Sequence, residues 1–187
     1  MFVMNTSGRS AAVDGDRREF SLLGRRRLGG LVPARPVTAG VPSRAVLELQ
    51  QRLGSARSRV LVGGEFVPGE GDRLAWQVRF WETVRPTPQP GLLHGVLFPG
   101  LPEGLDHAAV SGLDADLGSG ALPAGRLVVD RAGHDQDSSS VLFPTAVALL
   151  LRVLLAGASG SPVEPVIRSW VATGRTPRPL HAVEMDA

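Results

Sequence analysis

Apolar and polar positions along the chain change period several times, and those changes predict the elements. The cleanest pattern is Arg73 to Val84. Leu74, Trp76, Val78, Phe80 and Val84 point one way, and Arg73, Gln77, Arg79 and Thr83 the other, which is the period of two of a half-buried strand. Arg59 to Val67 reads as a second strand, with Val60 and Val62 on one face and Gly63-Gly64 marking a bulge. The turn residues Pro68 to Asp72 join the two as an antiparallel hairpin. Shorter strands are predicted over Leu92 to Phe98 and Arg126 to Asp130.

Helical spacing appears in three places. Ser43 can cap a helix over Arg44 to Leu53, in which Val46, Leu49 and Leu53 form a narrow stripe and Gly54 ends the run. Val141 to Ala156 is apolar nearly all round and predicts a central buried helix stopped by Gly157, with Pro144 tolerated in its first turn. Ser161-Pro162-Val163-Glu164 has the form of a capping box. It opens a helix whose face is Val163, Val166, Ile167, Trp170 and Val171 and which Gly174 closes. Between the strands and these helices, residues 99–125 read as a long Gly/Asp/Pro-rich connection with a helical turn near Leu105 to Val110.

Residues 1–42 show no sustained period. Pro33, Pro36 and Pro42 keep their end extended, and seven arginines stand against three acids. The organisation expected is a basic, Pro/Gly-rich arm over 1–42, one domain over 43–174 and a polar tail over 175–187. The fold class expected is α+β: a small antiparallel sheet of about four strands, covered on one face by two C-terminal helices, with an irregular N-terminal arm.

Composition narrows the chemistry. All 20 basic residues are Arg, and Lys, Tyr and Cys are absent. Almost nothing therefore titrates between His and Arg. A net charge of +2 is enough to carry the pI to about 10.7, and that value is no argument for nucleic-acid binding. The absence of Lys and Tyr follows the codon bias of a high-GC genome, as in a high-GC bacterium or its phage. Without Cys there is no disulfide, no thiolate catalysis and no Cys-based zinc site. The apolar run at 141–156 is interrupted by Arg152 and is shorter than a membrane span. No signal peptide is read, and a cytoplasmic or particle-associated protein is expected.

Three groups carry candidate chemistry. Asp130, Arg131, His134, Asp135, Asp137 and Ser138 to Ser140 form the densest polar cluster. Within it, His134 beside Asp135 and Asp137 can supply a general base or a partial metal shell. The plainer reading is a solvated loop in which Asp137 or a serine caps the next helix. Asp106, Asp114 and Asp116 are oxygen donors for a hard cation, although Gly125 stands where an EF-hand requires Glu. Arg25, Arg26, Arg27 and Leu28 in the arm, with Trp81 on the polar face of its strand, are the candidate contact residues. No motif demands a cofactor.

The function expected from these residues is non-catalytic: an interaction or assembly subunit of an oligomer or larger particle, whose arm contacts a protein partner or a second copy. The alternatives are a small enzyme using the His134 loop, and a nucleic-acid-associated protein whose Arg-rich arm contacts phosphates.

Overall fold

The computed structural model describes residues 1–15, 20, 27–36, 40–79, 87–101, 104–119, 121–138 and 140–175. Its strands are β1 (Phe2–Asn5), β2 (Arg9–Asp14), β3 (Arg27–Pro33), β4 (Ser43–Leu53), β5 (Ala56–Pro68), β6 (Arg73–Arg79), β7 (Gln89–Pro90), β8 (Val96–Pro99) and β9 (Gly125–His134). Its helices are α1 (Leu105–Leu117), α2 (Leu142–Ala158) and α3 (Glu164–Thr173).

The fold expected from the sequence is corrected here. Instead of four antiparallel strands under two helices, the described residues form a mixed sheet of nine strands with three helices. Seven strands run in the order β1-β2-β4-β5-β9-β6-β3. β8 pairs with the His134 end of β9, where β6 no longer reaches, and β7 pairs with β8.

Each departure has a physical cause. Arg44 to Leu53 is strand β4, bonded to β2 on one side and β5 on the other. Ala45, Leu47 and Leu49 face the helices, while Val46 and Glu48 are buried on the opposite face. A strand buried on both faces loses the alternation that marks strands, and its leftover apolar positions fell at helical spacing. The stretch expected to be an irregular arm supplies β1, β2 and β3. These strands are short, and β3, at one end of the sheet, has six exposed residues of seven and so no buried face to mark it.

The expected hairpin of β5 with β6 does not form, because β9 inserts between them. It runs antiparallel to β5 and parallel to β6. The insertion needs a close approach at the turn end. A Cβ on Gly125 would stand 2.3 Å from the Val67 carbonyl oxygen, and its φ of 146° favours glycine as well.

α2 lies across β4 and β5, over a core that includes Leu47, Val62, Phe66, Phe143 and Leu150. α1, of which only one turn was anticipated, packs on α2 through Ala109, Leu113 and Leu117. The two helices approach closely at Gly112, where a Cβ would sit 2.4 Å from the Pro144 carbonyl oxygen. α3 contacts β1, β2 and α2 and buries Ile167, Trp170 and Val171, the face the spacing predicts. It starts later than the capping box implied: Glu164 and Pro165 open it and no side chain caps it. Gly174, at φ 69°, closes it as read. Among the described residues no helix is long and apolar enough to cross a membrane.

Candidate functional site

Among the described residues, the face of the sheet away from α2 holds most of the buried charged side chains. There Ala12, Phe20, Val46, Leu61, Leu92 and Leu97 form a small apolar cluster. Beside it, Glu48 is fully buried and Arg59 is 6% exposed. Register places Glu48 opposite Leu61 and Arg59 opposite Gln50, so their side chains meet diagonally on one face. Arg59 Nε and Nη2 donate to Glu48 Oε1 at 3.1 and 2.5 Å. The backbone N–H groups of Leu92 and Leu93 donate to Oε2 at 2.5 and 3.0 Å. Both carboxylate oxygens are thus answered, as a buried charge requires. The 91–95 segment can sit this close because Gly91 and Gly95 lack side chains: a Cβ on Gly91 would be 2.6 Å from Glu48 Oε2, and one on Gly95 2.9 Å from Arg59 Nη1. The arrangement is a structural clamp in which both carboxylate oxygens of Glu48 are consumed.

Further along the same face, Glu65 lies between two arginines. Arg44 Nε donates to its Oε2 at 2.7 Å and Arg126 Nη2 to its Oε1 at 2.7 Å. Asp130 sits at the β-bulge where β5 and β9 slip register at Gly63/Gly64 and accepts from Arg131 Nη1 at 2.7 Å. Burial raises the Asp130 carboxyl above its usual range, with Arg131, Arg79 and Arg44 pulling the other way.

The His134 group separates into two small systems. His134 ends β9, half-buried, its Nδ1 3.1 Å from the Gly100 carbonyl oxygen and its ring 6.0 Å from that of Phe98. Burial pushes the imidazole below its usual value, against the Gly100 carbonyl and the Asp135 charge. Asp135 turns instead to its own loop. Its Oδ1 accepts from the Asp137 N–H at 3.2 Å and from Ser138 Oγ at 2.9 Å. Ser138 Oγ also accepts from the Asp135 N–H at 2.8 Å, and the Arg59 carbonyl is a second acceptor within reach of its single proton. Asp137 is exposed.

The three α1 acids occupy different environments. Asp106 is buried in the first turn and accepts from the His107 N–H at 2.9 Å. Asp114 is exposed. Asp116 is buried and pairs with Arg152 of α2 at 3.1 Å, so it ties the two helices together. Among the described residues no three His, Asp or Glu side chains converge as a metal site would require.

Of the expected contact residues, Arg25, Arg26 and Trp81 lie outside the described residues. Arg27 and Leu28 stand on β3, the terminal strand of the sheet. Among the described residues β3 pairs only with β6, from Arg27↔Arg79 to Pro33↔Arg73. Six of its seven residues are exposed, Leu28 at 39% and Leu31 at 62%. Glu48, Arg59 and Glu65 were missed by sequence reasoning. Within a run of helix-forming residues, nothing local marks Glu48 as buried. Comparison with known protein families, characterised proteins and solved structures returns no match.

Proposed function

We propose that this chain is a non-catalytic interaction module that engages a protein partner by adding a strand to the open edge of β3. One observation carries the reading. β3 is a seven-residue edge strand whose outer side has no neighbour among the described residues, and Leu28 and Leu31 are exposed on it. Edge strands are ordinarily blunted by an inward-pointing charge, a bulge or a central proline. In β3 the proline is the last residue, and the centre is Gly29-Gly30-Leu31. Such an edge supplies main-chain donors and acceptors to a partner strand, and its exposed leucines give that strand apolar contacts. We assign to this strand the assembly role expected from the basic N-terminal region.

The test compares the full chain with its Leu31→Lys variant, which puts a protecting charge on the edge. Affinity capture from the native host's extract is expected to recover a partner with the parent protein and lose it with the variant, while the melting temperature changes by no more than a few degrees. A turnover activity in a substrate panel that disappears in His134→Ala would overturn this reading in favour of an enzyme.

A further inference from the structure

The chemistry of the added strand can be read from the row of side chains it would extend. Leu74 and Val78 of β6 belong to the helix-side core, so Ala75, Gln77 and Arg79 face the other way. Their register partners on β3 are Leu31, Gly29 and Arg27. Arg27 therefore stands directly opposite Arg79, and like charges placed so are destabilising. The same face carries Arg44, Arg126 and Arg131 against Glu65 and Asp130. Glu65 is shared by Arg44 and Arg126, and Asp130 is bonded to Arg131. Arg27 has no ion pair or side-chain hydrogen bond with a described residue, and its row ends at the open edge.

Beside Arg27 the face is hollow. Arg27, Gly29, Ala75, Gln77, Arg126 and Val128 line a groove of about 370 Å³. Gly29 sends no side chain over it, so a residue added next to Gly29 has room for a large one. Two positions on, Leu31 offers an apolar neighbour.

We infer, resting on the edge-strand reading above, that the partner segment is extended and acidic, placing a carboxylate beside Arg27, a large side chain in the groove beside Gly29 and an apolar side chain beside Leu31. Charge complementarity selects this occupant over a second copy of the chain. Two β3 strands pairing antiparallel about Gly30 would set Arg27 against Pro33 and leave its charge unanswered.

The probes are two labelled synthetic peptides, acetyl-Asp-Thr-Phe-Thr-Val-Thr-amide for parallel addition and its reversed sequence for antiparallel addition. Each is titrated into the full chain by fluorescence polarisation. One of them is expected to bind. Asn in place of Asp is expected to weaken binding about fivefold, as is Arg27→Glu in the protein, the size of an exposed charge pair. A Lys-for-Asp peptide is expected to recover affinity on Arg27→Glu. N-methylation at alternate amides, in both phases, is expected to abolish binding in one phase, because strand addition needs the backbone N–H groups. Circular dichroism melts confirm that Arg27→Glu is folded. Equal binding of the Asp and Asn peptides, with N-methylation still blocking, would overturn the acidic assignment and leave the edge-strand reading standing. Binding insensitive to N-methylation would overturn the proposal, since charge alone would then hold the peptide. A dimer in sedimentation velocity that Leu31→Lys dissolves, with no peptide bound, would assign the edge to a second copy. No peptide binding by a monomeric protein would remove both readings.

Discussion

The two faces of the same strands are held by different physics. Toward α2, β4 and β5 present Leu47, Leu49, Val60 and Val62 to a continuous apolar core. Burial there is non-directional and tolerates modest changes of shape. On the other face the same two strands present Glu48, Arg59 and Glu65, whose burial depends on specific partners at specific atoms. One face therefore fails gradually as apolar area is removed. The other fails when a single partner is lost, because an uncompensated charge remains.

The largest effect tests the helix face. Leu150→Asp puts an unpaired carboxylate at a fully buried position of α2. The cost of several kcal/mol is comparable with the whole stability of a small domain, about 5–15 kcal/mol. No cooperative melting transition is expected, and a soluble variant that melts cooperatively would show that α2 is peripheral.

The second effect sharpens the comparison from the opposite face. Glu48→Ala strands Arg59 and frees two backbone N–H groups, and is expected to cost about 3–5 kcal/mol in urea unfolding. Glu48→Leu combined with Arg59→Met removes both charges and should recover part of that loss. The remaining deficit reflects the Leu92 and Leu93 amides left without an acceptor. A double variant no better than Glu48→Ala would mean that the charges themselves are not the issue.

The smallest effect is a pH dependence at His134. Burial holds its folded pKa below the ordinary imidazole value of 6.5, so the unfolded chain takes up the proton first. The stability this group contributes is complete above 6.5 and is lost as pH falls from there through the folded pKa. Urea unfolding between pH 7.5 and 5 is expected to show a shallower decline for His134→Gln than for the parent. Equal slopes would refute the assignment.

Much of the helical layer was legible in the sequence. α2 lies within two residues of its predicted bounds, and Ile167, Trp170 and Val171 are the buried face of α3. These helices carry their signal locally, α2 in an apolar run nearly all round and α3 in a 3.6-residue apolar stripe. β6 was legible for the same reason, with Leu74 and Val78 buried on one side. The candidate sites were less so. His134 and Asp135 are neighbours in sequence, yet the carboxylate turns into its own loop.

By itself the sequence determined which segments are apolar enough to be buried, where Gly174 ends the last helix, and that no thiol chemistry is present. Pairing was decided by tertiary structure. β9 enters between β5 and β6, which sequence proximity would have joined, because a strand's hydrogen-bonding sides have no signature in its side chains. Glu48 and Arg59 became a buried pair because β4 and β5 align them on one face and the 91–95 segment covers them. Burial on both faces hid β4 as a strand, and position at the end of the sheet left β3 exposed. Neither fact belongs to any short stretch of the chain, since each depends on which distant segment lies alongside.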